Sequence, residues 1–182
     1  SEGWNDTFEG GKGDDLIVNS NYSFENGADT YIYNKGDGND TIDEGASAAG
    51  GTKLTDTLVL TDIDPAGIEL SRVGLDLLVK IKETGETIRI IRQFDDDFRA
   101  PGQGMEIIRF ADGTQWDRVR IQQEAWFRGT DGRDVLSGST WNDTFEGGKG
   151  DDLIVTSNHS LEDGSDTYIY SKGDGNDTID DQ

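Results

Sequence analysis

Between residues 129 and 155 the apolar side chains follow neither a helical nor a simple alternating rhythm. Leu136, Phe145 and Ile154 recur at intervals of nine, each two residues after an aspartate (Asp134, Asp143, Asp152) and each after a polar stretch carrying glycine. Such a stretch suits a tight turn with positive φ, and an apolar-centred tail of three suits a short strand with its middle side chain inward. The middle of the chain reads differently. Leu75, Leu77, Val79 and Ile81 alternate with other positions, Glu83-Thr84-Gly85-Glu86 turns, and Thr87–Phe94 returns, which predicts a β-hairpin. Met105–Phe110 predicts a further strand, Ala111-Asp112-Gly113-Thr114 a turn, and Asp117 the N-cap of a short helix to about Trp126.

The nine-residue pattern is itself duplicated. Residues 4–45 and 141–182 are related by an offset of 137, and 34 of the 42 positions are identical. Phasing on an aspartate at position six gives units at 1–9, 10–18, 24–32 and 35–43, then at 129–137, 138–146, 147–155, 161–169 and 172–180. Five residues intrude at 19–23 and at 156–160, and two more before Lys35 and before Lys172. Unit 1–9 lacks its early glycines, and Gly51–Val59 keeps the phase through Asp56 and Leu58 without a glycine turn. The chain opens and closes within a unit, so a longer tandem array is expected.

Charge sharpens the picture. Only 32% of the 182 residues are hydrophobic and the net charge is −22, a balance that borders on disorder unless the repulsion is cancelled. Residues 46–128 hold 14 acidic and 11 basic side chains, whereas the repeat-bearing flanks hold 24 and 5. The excess therefore lies in the repeats, at a fixed phase, where a divalent counter-ion would neutralise it. Nucleic-acid binding is disfavoured by that charge. The absence of cysteine excludes a disulfide scaffold and Cys-zinc sites. No apolar run reaches membrane-spanning length, and no signal-peptide pattern is seen.

Gly147-Gly148-Lys149-Gly150-Asp151-Asp152-Leu153-Ile154-Val155 resembles the calcium-binding nonapeptide of RTX (repeats-in-toxin) proteins. The stretch containing IELSRVGLDLLVKI, GETIRIIRQF and MEIIRFADGTQW resembles the haemolysin-type calcium-binding related domain found between or after such repeats. The resemblance implies an all-β fold: parallel β-roll segments at 1–59 and 129–182 flanking a mainly antiparallel β block at 60–128, with one short helix near 117–126. Two units complete a coil, so units i and i+2 stack on one edge at about 4.8 Å. The expected aspartate pairs are Asp6 with Asp29, Asp15 with Asp40, Asp134 with Asp152, Asp143 with Asp166, and Asp152 with Asp177. Calcium takes six to eight oxygen ligands, chiefly carboxylates and carbonyls, and several Ca2+ ions are expected. The resemblance adds carbonyls at positions one and three: Gly10 and Lys12, Gly129 and Asp131, Gly138 and Thr140, Gly147 and Lys149. Asp37 and Asp174, third in the two KGDGND units, complete the candidate set. Sites beside the intrusions are expected to be incomplete or looped out, and Gly51–Val59 to form a final strand without metal.

No catalytic constellation emerges. The only histidine, His159, aligns with Tyr22 of the other copy, and the GGKGDD turns lack phosphate-loop spacing. Asp64-Pro65 reads as a turn rather than a processing site, Asp95-Asp96-Asp97 as an acidic loop tip, and Phe110, Trp116, Trp126 and Phe127 as packing residues. The expectation is a non-enzymatic, calcium-dependent folding module of a large secreted protein such as a toxin or adhesin, disordered without calcium and exported by type I secretion. The alternative is a calcium-dependent carbohydrate or cell-surface recognition module, or an accessory part of a secreted enzyme. Head-to-tail self-association through the open roll ends is also expected.

Overall fold

The computed structural model describes residues 5–19, 27–45, 54–95, 104–139, 142–156 and 164–181. Among them the chain is all-β, with one helix of seven residues and a single 3-10 turn, Pro65–Gly67, behind Asp64. The chain divides into two compact units, one of Ser1–Leu70 with Leu75–Gln122 and the other of Ser71–Gly74 with Gln123–Gln182.

In the first unit the strands are β1 (Thr7–Glu9), β2 (Leu16–Val18), β3 (Thr30–Tyr33), β4 (Asp40–Asp43), β5 (Thr57–Leu60), β6 (Ile68–Val73, which runs into the second unit), β7 (Asp76–Ile81), β8 (Thr87–Ile90), β9 (Ile107–Arg109) and β10 (Gln115–Asp117). Helix α1 (Arg118–Glu124) follows, and Asp117 Oδ1 accepts from the Arg120 amide at 2.8 Å as an N-cap does. The second unit carries β11 (Phe127–Arg128), β12 (Val135–Ser137), β13 (Thr144–Glu146), β14 (Leu153–Thr156), β15 (Thr167–Ile169) and β16 (Thr178–Asp181).

Strands pair with the strand two units away, always in parallel through the repeats. The second unit has two wholly parallel three-stranded sheets, β11-β13-β15 and β12-β14-β16. In the first unit, β1-β3-β5-β9-β10 and β2-β4-β8-β7-β6 are mixed sheets. Their antiparallel parts include the β9–β10 pair and the β7–β8 hairpin. Within the middle block these pairings are antiparallel, as expected of it, but the block is not a sheet of its own. It joins both repeat sheets, because β9 pairs parallel to β5 and β8 parallel to β4.

Position eight supplies much of the core. Phe8, Tyr31, Leu58 and Ile108 lie in register across one sheet, and Ile17, Ile42 and Ile90 across the other. Tyr31, Ile42, Leu58, Ile90 and Ile108 are each at most 2% exposed. The second unit repeats the arrangement with a stack of Phe127, Phe145 and Tyr168, ring centroids 5.0 and 5.6 Å apart, packed with Leu136 and Ile154. The suspected packing aromatics do pack. Phe110 meets Trp116 edge-to-face at 4.9 Å, and Arg128 lies over the Trp126 ring at 4.5 Å.

The turns stack backbone on backbone. Gly38 has φ +112°, and a Cβ there would sit 2.1 Å from the Gly13 carbonyl oxygen; Gly36, at φ +91°, faces open space. The Gly13 amide meanwhile donates to the Asp37 carbonyl at 2.6 Å. Gly38→Ala should therefore lose about 2 kcal/mol or more, by strain plus clash, while Gly36→Ala loses about 1 kcal/mol from φ alone. Denaturant unfolding of both variants checks the order; equal losses would mean that the turns do not stack this closely.

Candidate metal centre

Each position-six aspartate lies just before its strand or, as Asp40 does, opens it, so parallel stacking places them in columns. The columns are bound by one repeated contact, in which the backbone N–H of one acid donates to Oδ1 of the acid one coil further on. The contact joins Asp6 to Asp29 at 2.7 Å, Asp15 to Asp40 at 3.0 Å, Asp134 to Asp152 at 2.8 Å, Asp143 to Asp166 at 3.0 Å and Asp152 to Asp177 at 3.1 Å. All five expected pairs are thus brought together. The first column runs on through Asp29 to Asp56 at 2.8 Å and Asp56 to Glu106 Oε2 at 2.9 Å. Glu106 was missed from sequence because no glycine turn precedes it. The usable signal was its position, two residues before the buried Ile108, as Asp56 stands before Leu58.

What fills the other carboxylate oxygen depends on position two of the turn. In the second unit Asp134 Oδ2 accepts from the Thr130 amide at 2.6 Å and hydroxyl at 2.9 Å, and Asp143 Oδ2 from the Ser139 amide at 2.6 Å and hydroxyl at 2.9 Å. In the two GGKGDD turns position two is glycine. There Asp15 Oδ2 and Asp152 Oδ2, equivalent atoms of the two copies, are buried with no hydrogen-bond partner. Asp152 is only 2% exposed. A Cβ on Gly10 would lie 2.8 Å from Asp15 Oδ2, and one on Gly147 would lie 2.5 Å from Asp152 Oδ2, so each oxygen faces a cradle that glycine keeps open.

An unpartnered buried carboxylate oxygen is costly unless a cation meets it, and these residues fit calcium. Asp15 or Asp152, with the carbonyls of Gly10 and Lys12 or of Gly147 and Lys149, would hold it. Opposite these turns stand the KGDGND turns. Burial raises the Asp40 carboxyl above its ordinary range, and repulsion from Asp15, Asp37 and Asp14 adds to that, while the Asp15 amide opposes it. No three acidic or histidine side chains converge tightly enough among the described residues to hold an ion without backbone help.

The other candidates serve the turns themselves. Asp37 Oδ2 accepts from the Asn34 amide at 2.8 Å and Asp174 Oδ2 from the Ser171 amide at 2.5 Å. Tyr33 and Tyr170 close the same turns by donating to the Gly38 and Gly175 carbonyls at 2.8 and 2.7 Å. Lys149 Nζ pairs with the exposed Asp131 carboxylate at 2.8 Å, and Lys12 is exposed. Gly129 and Gly138 stand beside the filled Asp134 and Asp143 carboxylates. Thr140, His159, Asp96 and Asp97 lie outside the described residues.

Near the intrusion that follows Val18, the first column is served by side chains. Asn19 Nδ2 donates to Asp29 Oδ2 at 2.6 Å. Burial, then the charge of Asp56, pushes the Glu44 carboxyl up to about 9.

Residues 76–119 match the family model of the haemolysin-type calcium binding protein related domain. The chain is in that stretch similar to RTX-like calcium-binding proteins, which supports Ca2+ as its partner and a calcium-binding structural role. A search of curated proteins found no match. Among the described residues no helix is long and apolar enough to cross a membrane.

Glu44 carries a pH prediction. Its folded pKa stands above its ordinary 4.5, so its protonated form favours the fold, and stability falls as pH rises from about 4.5 towards about 9. Glu44→Gln should flatten that decline and raise Tm at pH 8 by about 4 °C or more. Thermal melts across pH 5–9 on the calcium-loaded protein check it, and parallel pH profiles for the two proteins would contradict it.

Proposed function

We propose that this chain is a calcium-folded, non-catalytic structural module of a large secreted bacterial RTX protein such as a toxin or adhesin. Its parallel strands are read as β-roll segments, at 1–59 and 129–182, around the 60–128 block. The observation that carries the reading is the pair of buried, partnerless oxygens, Asp15 Oδ2 and Asp152 Oδ2, at the same place in both copies. The mechanism is coupled binding and folding. Without a cation, stacked carboxylates repel and glycine entropy favours the open chain. With calcium, each ion at tenfold its Kd contributes about 1.4 kcal/mol.

A protein exported unfolded by type I secretion would meet millimolar calcium only outside the cell, and extracellular modules bind at about 10⁻⁴–10⁻³ M. Circular dichroism on a chelated sample should show the repeats losing strand signal and regaining it with calcium in that range, but not with equal magnesium. Asp15→Asn with Asp152→Asn should remove ions from the calorimetric stoichiometry. A chelated chain as ordered as the loaded one would sink the reading.

Unequal burial of identical residues supports the head-to-tail expectation. Tyr33 and Ile42 are each 2% exposed, while their counterparts Tyr170 and Ile179 are 61% and 48% exposed. Sedimentation in calcium should show concentration-dependent association, weakened by Tyr170→Ser with Ile179→Ser; strict monomers at high concentration would overturn this part.

A further inference from the structure

The column that begins at Asp143 starts on a residue from far upstream. Arg72 Nη1 donates to Asp143 Oδ1 at 2.6 Å, and the two side chains are 3% and 0% exposed. Oδ1 is the oxygen that, elsewhere in the columns, accepts the amide of the preceding coil's acid. Here β11, the strand on the preceding side, carries no position-six acid to supply that amide. The guanidinium stands in its place and brings a full positive charge.

The arginine is held from three sides within the second unit. Its amide donates to the Trp126 carbonyl at 2.9 Å, Ser71 bridges Trp126 in parallel, and its Cζ lies 4.9 Å from the centroid of the Phe127 ring that stacks on Phe145. Asp143 is satisfied completely, with Arg72 and the Ser139 hydroxyl on Oδ1 and the Ser139 amide and hydroxyl on Oδ2. Asp152, on the other column of the same unit, keeps a buried oxygen without a partner.

The first copy is an internal control. Asp6 and Phe8, in the same Trp-Asn-Asp-Thr-Phe-Glu context as Asp143 and Phe145, lie exposed and half-buried, whereas Asp143 and Phe145 are 2% and 0% exposed.

We propose that Arg72 is a built-in cation that occupies the Asp143 site, so that the first coil of the second repeat segment orders without calcium and metal is confined to the Asp134–Asp152–Asp177 column of that unit. The sequence alone could not show this, since Arg72 lies 71 residues from Asp143. A planar guanidinium suits the task, because it pairs with a carboxylate and stacks on an aromatic face, and its charge never titrates away. Removing either partner leaves an uncompensated buried charge.

The metal half of this inference rests on the proposed function, and the lock does not. In chelator, the guanidinium protons of Arg72 should exchange slowly by ¹⁵N arginine-side-chain NMR, and hydrogen exchange should find residues 144–146 protected. Arg72→Met should abolish that protection in chelator and make the ordering of residues 127–146 depend on added calcium, which it does not in the wild type. It should remove no ion from the calorimetric stoichiometry. Arg72→Lys should fall between, and adding Asp143→Leu to Arg72→Met should recover part of the loss.

Free-arginine exchange in the chelated wild type would overturn the lock, as would retained protection of residues 144–146 in chelated Arg72→Met or a lost ion in that variant. If no calcium binds anywhere, the proposed function fails, and the chelated comparison of wild type with Arg72→Met still decides the lock.

Discussion

The structure depends on one contact, the backbone amide of an acidic residue donating to the carboxylate of the acid one coil away. It fixes the register wherever an acid precedes both strands of a parallel pair, because a shift by one residue would move the amide off its oxygen and turn the position-eight side chain out of the core. It also forces like charges into columns at strand spacing, where their repulsion must be answered. Where another acid stands one coil before, one oxygen of the carboxylate is satisfied by the contact itself. The fate of the other decides the chemistry of each turn.

Two answers are found, and they differ by single residues. Thr130 and Ser139 turn an amide and a hydroxyl onto Asp134 and Asp143, while Gly11 and Gly148 offer no hydroxyl, and Asp15 Oδ2 and Asp152 Oδ2 stay buried without a partner. At the far end of the first column the chain supplies its own charge, since Glu106 is paired with Arg118 at 3.6 Å. A column can thus be closed by hydroxyls or by a guanidinium, and the unpartnered oxygens of Asp15 and Asp152 are left to the ion we propose.

The repeat was legible because its signal is local. A glycine-bearing turn, an acid and an inward apolar residue lie within nine positions, so the strands follow from phase, and the five acidic pairs from phase together with the two-unit coil that the RTX resemblance implies. The hairpin over Asp76–Ile81 and Thr87–Ile90 was legible for the same reason. The joining of the middle block to both repeat sheets was not. Glu106-Ile107-Ile108 continues the nonapeptide's acid and apolar spacing with Gly104 and Met105 where a full turn would stand, so propensity marks only a strand. Arg72 was invisible for a deeper reason, since its partner is set by tertiary stacking and no spacing along the chain encodes it.

The two copies separate what a segment encodes from what its neighbours impose. Gly11 and Gly148 have φ +80° and +86°, and Gly13 and Gly150 have +125° and +123°, so the turn is a property of its nine residues. Burial is not. Val18 is 52% exposed while its counterpart Val155 is half-buried beneath β12, and Leu16 at 68% exposure contrasts likewise with Leu153. A coil therefore specifies its own turn and leaves its stability to whatever stacks on either side. In a chain carrying −22 charges, that stacking is favourable only where the carboxylates of the columns are answered, by hydroxyls, by arginines or, at the glycine cradles, by the ion we propose.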